Sequence, residues 1–180
     1  LAFSVIAIAG REAQKTLDTY QLMFGRAVVG LAILLAIMFV RGMSLDDVTT
    51  RRPGLHVLRN FIHYAAQYSW LYALPLIPLA TLFAVEFTCP LWVAVMAPLL
   101  LGERLTPTRM VAAILGFTGI LAIVGTSLTS ISTGMLFGLA SALGFAASMI
   151  CMKSLTRTDD AFRIIVLMHA IQIAIGFVPM

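Results

Sequence analysis

Long apolar stretches separated by short polar ones set the pattern of this chain. Seven apolar segments can be read, over residues of about 1–10, 19–40, 56–76, 79–101, 108–125 and 134–152, with the last beginning near 162. An α-helix needs about 20 mostly apolar residues to cross the hydrocarbon core of a bilayer, and most of these segments approach that length. The pattern therefore predicts an all-α, polytopic helical membrane protein with about seven spans and no sheet. The chain starts at Leu1 inside one apolar stretch and stops at Met180 inside another, so it reads as a piece of a longer protein.

Local signals place the turns. In "GERLTPTR", Gly102 can end the fourth helix, Thr106 can cap the fifth, and Pro107 suits its first position. A tight hairpin over residues 102–106 would bring Glu103 to the positive start of the next helix. Small residues recur four apart, as at Gly134 and Gly138, and at Ala140, Gly144 and Ser148. Such ridges let helix backbones approach closely in lipid and predict a packed bundle.

Composition agrees with a membrane location. The chain is 61% hydrophobic and 11% charged, against roughly 25% charged in an ordinary soluble domain. The net charge of +4 is no nucleic-acid signal, because no basic stripe is interleaved with aromatics. Its positive residues orient the helices instead. Arg41, Arg51, Arg52 and Arg59 fall in or beside one loop, Arg104 and Arg109 in a second, and Lys153, Arg157 and Arg163 in a third. These loops alternate with "PLIPLAT" and "TSLTSIST", which carry no positive charge. Only Arg11 and Lys15 fall on the other side, so the positive-inside rule puts the start of the first span in the cytoplasm. Cys89 and Cys151 both lie in apolar runs and read as small buried residues, not as a disulfide or metal site.

The stretch "EFTCPLWVAVMAPLLLGERLTPTRMVAAILGFTGILAIV", with its Pro-aromatic start, "LLLGERLT" ending and following Gly-x-x-Gly helix, resembles the fourth and fifth spans of EamA-type transporters of the drug/metabolite transporter superfamily. "FGRAVVGLAILL", with one arginine in an apolar second span, fits the same family. The resemblance covers most of the chain and is strongest over residues 80–126. It implies ten spans built as two inverted five-helix repeats. Residues 1–126 would be the first repeat, lacking the start of its first helix, and residues 134–180 the truncated beginning of the second. A faint echo between "AFSVIAIAGREAQKTL" and "ASALGFAASMICMKSL" is in keeping with this division.

Polar residues within the spans are the candidate chemistry, because a charge at mid-membrane costs roughly 2.5–3.5 kcal/mol on insertion scales. In the third span Asn60, His63, Tyr64, Gln67, Tyr68 and Tyr72 recur at three- and four-residue intervals. This stripe is either a cavity wall offering hydrogen bonds and stacking to a solute, or interhelical glue with an interfacial aromatic belt; its reach to mid-span favours the wall. Trp70 lies off the stripe. Pro90 and Pro98 can kink the fourth span, as hinges or as static bends. His169 and Gln172 could complete the cavity from the seventh segment, although a structural role is the simpler reading of His169. Arg26 and Glu86 each lie about seven residues into a span entered from the outer side, about 10 Å deep at 1.5 Å per residue. Matched depth predicts that they face the bundle interior and pair, directly or through water, as a gate or, preferably, as a structural pair.

The candidate cavity residues are thus His63, Tyr64, Gln67, Tyr68, Tyr72, Glu86, Pro90 and His169, with Arg26 and Glu86 as the charge pair. No catalytic, metal or cofactor site is expected. The leading function is secondary transport of a small metabolite or drug-like solute across the cytoplasmic membrane, by alternating access between the repeats. The drive would be an ion or solute gradient, or the substrate's own gradient, since no GxxxxGK[ST] phosphate loop appears. An intramembrane enzyme would need a nucleophile–base pair or metal cluster at membrane depth, and no such motif is present; Asp46, Asp47, Asp159 and Asp160 all fall in polar loops. A scaffold without transport would have little use for Arg26 and Glu86.

Overall fold

The computed structural model describes residues 2–102 and 132–177, with scattered positions between 107 and 119. The hairpin expected over residues 102–106, Glu103 and most of the fifth apolar segment lie outside the described residues. Within them the chain is helical: α1 (Ala2–Ala13), α2 (Thr19–Val40), α3 (Pro53–Ala73), α4 (Leu79–Glu86), α5 (Cys89–Leu101), α6 (Thr133–Leu155) and α7 (Ala161–Phe177). No strand occurs among the described residues. By length and composition Thr19–Val40, Leu79–Leu101 and Thr133–Leu155 can each cross a membrane, and α7 is a shorter apolar helix. The molecule is a polytopic helical membrane protein, as the apolar pattern predicts.

Each helix begins and ends where its residues dictate. Asp18 caps α2 in a capping box: its side chain accepts from the Gln21 N–H at 2.9 Å, while Gln21 Oε1 accepts from the Asp18 N–H at 3.2 Å. Ser132 caps α6 by accepting from the Met135 N–H. Pro53 opens α3, where its missing N–H leaves no bond unmade. The last carbonyls beyond α3 are satisfied from another helix. Arg11 Nη2 donates to Ile77 O at 2.7 Å and Arg11 Nε to Leu74 O at 3.0 Å, while Gln14 Nε2 donates to Leu71 O at 2.9 Å. Arg11, one of the two basic residues on the unexpected side, thus serves as a cap on its neighbour's negative helix end.

The fourth span is broken. Proline clashes with the carbonyl four residues earlier and cannot donate to it, and for Pro90 that carbonyl belongs to Glu86. Here α4 stops at Glu86 and α5 resumes at Cys89 with Pro90 in its first turn. Thr88 Oγ1 bridges the break by donating to Val85 O at 2.6 Å. Pro98 lies inside α5 without ending it, and Gly102 terminates α5 in the left-handed region, at φ 66°.

Helix α6 is the spine of the assembly, packing along α3 and also against α4 and α5, while α7 packs on α2 and α3. Small residues permit this. A Cβ added at Gly144 would lie 2.7 Å from Ala66 Cβ, so the two helices touch nearly backbone to backbone. The largest apolar cluster joins Met23, Trp70, Leu71, Leu74, Ile77 and Leu82, and a smaller one joins Cys89, Ala142 and Ala146. Val29, Ile33, Phe39 and Val40 on α2 remain exposed, as expected of a helix that meets lipid.

Candidate functional site

The polar face of α3 is shared between two neighbourhoods on either side of the helix. On one side Arg26 of α2 reaches over Gln67 and Gln172. Its Nη2 donates to Gln67 Oε1 at 2.5 Å and to Gln172 Oε1 at 3.3 Å. Gln172 is 1% exposed, and its Nε2 has no partner among the described residues. The buried Tyr64 hydroxyl also lacks a partner among the described residues, and it faces Gly176 on α7, where an added Cβ would lie 3.2 Å away. His169 Nδ1 donates to Ile165 O, 2.9 Å away, and its ring lies against Gly30, where any Cβ would overlap it at 2.2 Å. His169 therefore packs α7 onto α2 beside the Arg26 network.

On the other side of α3 a cavity of about 650 Å³ opens between α3, the α4–α5 break and α6. Arg59, His63, Glu86, Pro90, Phe145 and Ser148 are among its walls. Ser148 Oγ and His63 Nδ1 are 3.4 Å apart, and the His63 and Phe145 rings lie 5.4 Å apart. Glu86, one of the wall residues, accepts at Oε2 from Trp70 Nε1.

A direct contact between Arg26 and Glu86 is not what the structure contains. Arg26 is held by two amide oxygens and Glu86 by Trp70, and no ion pair joins them among the described residues. Equal depth fixes height in the membrane but leaves open the direction in which each side chain leaves its helix. Arg26 leaves α2 toward α7, whereas Glu86 leaves α4 at the proline break toward the other face of α3. Of the stripe on α3, Tyr64 and Gln67 are buried, Tyr68 is half-buried and Tyr72 is 39% exposed. The last two extend an aromatic row: Tyr20 and Tyr68 rings are 5.0 Å apart, Tyr68 and Tyr72 6.1 Å, and Tyr72 and Phe137 4.5 Å. The candidates thus divide, with His63, Glu86 and Pro90 at the cavity and Tyr64, Gln67 and His169 at the Arg26 network.

Three features escape the sequence reading. Arg59, counted there with the loop charges, lies inside α3, is 4% exposed and lines the cavity. Its Nη1 donates to Asn60 Oδ1 at 3.2 Å, and its Nε has no partner among the described residues. A signal was available, since Arg59 falls four residues before His63 on the same helix face. Trp70, off the stripe, is the Glu86 partner.

The third is a polar knot between the α2–α3 and α6–α7 loops. Asp159 is 6% exposed despite its loop position. It accepts from Thr50 Oγ1 at 2.9 Å and Arg163 Nη1 at 3.2 Å, and meets His56 Nε2 at 3.0 Å. Arg52 Nη1 adds a bond to Ser154 O at 3.0 Å. Burial alone would raise the Asp159 carboxyl, but the bonds from His56, Thr50 and Arg163 outweigh it and hold the group below the usual carboxylate range. Among the described residues no three His, Cys, Asp or Glu side chains are grouped to hold a metal ion.

Comparison with known proteins agrees with this architecture. The chain is 27% identical over 130 residues to an S-adenosylmethionine uptake transporter of Rickettsia felis, covering 72% of this chain and 44% of that protein. It is 32% identical over 127 residues to a riboflavin transporter of Rhizobium johnstonii, covering 71% of this chain and 42% of that one. It is 26% identical over 166 residues to the pseudopaline exporter CntI of Pseudomonas aeruginosa, covering 91% of this chain and 57% of that one. The chain thus spans less than half the length of the first two relatives. A solved crystal structure superposes with a TM-score of 0.69 at 18% identity, over 97% of this chain and 61% of that chain, which shows the shared fold. The model of the EamA-like transporter family matches residues 1–125, more than half of the sequence, and the chain belongs to that family.

Proposed function

We propose that the full-length protein is a secondary transporter that carries a small metabolite across the cytoplasmic membrane by alternating access between two inverted five-helix repeats. Residues 1–126 form the first repeat and residues 134–180 begin the second. The observation that carries this reading is the cavity: a space of about 650 Å³ at the α4–α5 break, bordered by α3 of one repeat and α6 of the other. That volume suits a small solute. A cavity between two repeats can be opened from either side by rocking one against the other. The broken span at Pro90 supplies a place where such movement costs little. The names of the relatives, which include uptake carriers and an exporter, support small-molecule transport and leave either direction open.

The test is flux. Full-length protein in proteoliposomes should take up radiolabelled S-adenosylmethionine or riboflavin, or a member of a wider metabolite panel, saturably and in a protein-dependent way. Accumulation should follow an imposed ion or solute gradient without ATP. Protein-containing vesicles that match empty ones across the panel, with correctly inserted protein, would sink the reading.

A further inference from the structure

The cavity beside Glu86 joins two charges that the sequence reading kept apart. One wall holds the Arg59 guanidinium, buried within α3 and bonded through Nη1 to Asn60, with its Nε unmet among the described residues. A guanidinium offers five N–H donors in a fixed fork and stays charged. A buried guanidinium met by one neutral amide oxygen keeps donors to spare, so this fork at a cavity wall is a ready site for a carboxylate, sulfonate or phosphate. The other wall holds Glu86. Trp70 donates to Oε2, and Oε1 has no hydrogen-bond partner among the described residues. Arg59 and Trp70 are eleven positions apart on α3, or about 16 Å along the axis at 1.5 Å per residue. The remaining walls are largely apolar and aromatic, with Phe83, Phe145 and Met149.

We infer that this cavity binds a bipolar solute: an anionic group at Arg59, an apolar or flat body against Phe83 and Phe145, and a cationic or N–H-donating group at Glu86. The inference names the solute class for the transport reading above and rests on that reading for its physiological meaning. The electrostatics of the cavity can be measured whether or not flux is found. Each end rejects the wrong sign, so the site discriminates by like-charge repulsion as well as by attraction. A neutral apolar molecule would fill the middle but leave both charges unanswered.

The test uses full-length protein with Cys89→Ser, Cys151→Ser and any cysteine outside these residues likewise replaced as background. Single cysteines are placed at Met152, beside the Arg59 end, and at Phe87, beside the Glu86 end. Each is labelled with an anionic sulfonatoethyl and a cationic trimethylammonium-ethyl methanethiosulfonate. The anionic-to-cationic rate ratio at position 152 should fall by about tenfold on Arg59→Gln, and the ratio at position 87 should rise by about tenfold on Glu86→Gln. Comparing ratios before and after Arg59→Gln separates Arg59 from other nearby cations. Arg59→Lys, which keeps the charge, should retain the ratio at 152 and serves if Arg59→Gln folds poorly. The second measurement is protection from labelling. 6-Aminohexanoate or 8-aminooctanoate should slow both reactions at concentrations about tenfold below those needed by hexanoate or hexylamine. Ratios indifferent to both charge-removing variants, or single-ended compounds that protect as well as the amino acids, would overturn the inference. Loss of flux with these results intact would count against the transport reading alone.

Discussion

Arg26 sits among amides, and that decides what substitution there should do. Its charge is met by the Gln67 and Gln172 side-chain oxygens, and Gln172 is almost fully buried. Gln67→Leu removes the shorter bond and leaves a buried guanidinium short of an acceptor, which costs about 1–3 kcal/mol. Thermal unfolding in detergent should report that loss, with reduced flux per folded molecule. Unchanged melting would mean that the bond contributes nothing to the fold. Glu86→Gln should behave differently. The amide oxygen can still accept from Trp70 Nε1, so insertion and melting should be near wild type. The charge facing the cavity is gone, so flux should drop by at least about tenfold if the carboxylate contacts solute or a coupling ion. A poorly inserted Glu86→Gln would instead assign Glu86 a structural role.

At the scale of elements, the α4–α5 break is where a local rule shapes a possible site. Proline at position 90 frees the Glu86 carbonyl and turns the following helix, and the cavity lies at that turn. Pro90→Ala restores an N–H that can close the helix, worth up to about 3 kcal/mol in a helix interior. The expected outcome is a higher melting temperature together with lower flux, read by circular dichroism and proteoliposome uptake. Full flux with increased stability would make the kink a static bend. The α3–α6 contact gives a complementary test. Gly144 meets Ala66 so closely that Gly144→Leu must push the helices apart, an overpacking cost of about 1–3 kcal/mol or more. Gly25 has open space around it, so Gly25→Ala should be tolerated in the same assay.

For the whole molecule, the polar knot around Asp159 ties the α2–α3 loop to the α6–α7 loop, contacts more than a hundred residues apart in the chain. Under the proposed mechanism this knot would have to open whenever the cavity faces the side on which it lies. Asp159→Asn keeps the shape but weakens the bonds from His56 and Arg163, and should shift accessibility of the cavity toward that side. Cysteine labelling at position 152 from each face of the membrane would show it, and unchanged accessibility would exclude a latch. The knot also predicts an acid limit. Because the folded Asp159 pKa lies below its unfolded value of about 3.9, its contribution is fully present above that value. It is lost as pH falls through the folded pKa. Unfolding measured from pH 6 to pH 3 should therefore show a loss of stability below about pH 4 that is smaller in Asp159→Asn.

The sequence by itself determined the class of molecule, because hydrocarbon imposes a length and an apolar composition that any spanning helix must display. It also determined where helices begin and break: Asp18 and Ser132 cap, Pro53 opens, Gly102 ends, and Pro90 interrupts, each through chemistry confined to a few neighbouring residues. The family was legible for the same reason, in a contiguous stretch around "PLW" and "LLLGERLT". Which polar residues meet was decided only by the tertiary structure. Depth along a helix can be counted from its end, but the direction of a side chain around the axis is set by what packs beside it. That is why Arg26 and Glu86, equal in depth, found different partners, and why Arg59, counted as a loop charge, stands at the wall of the cavity.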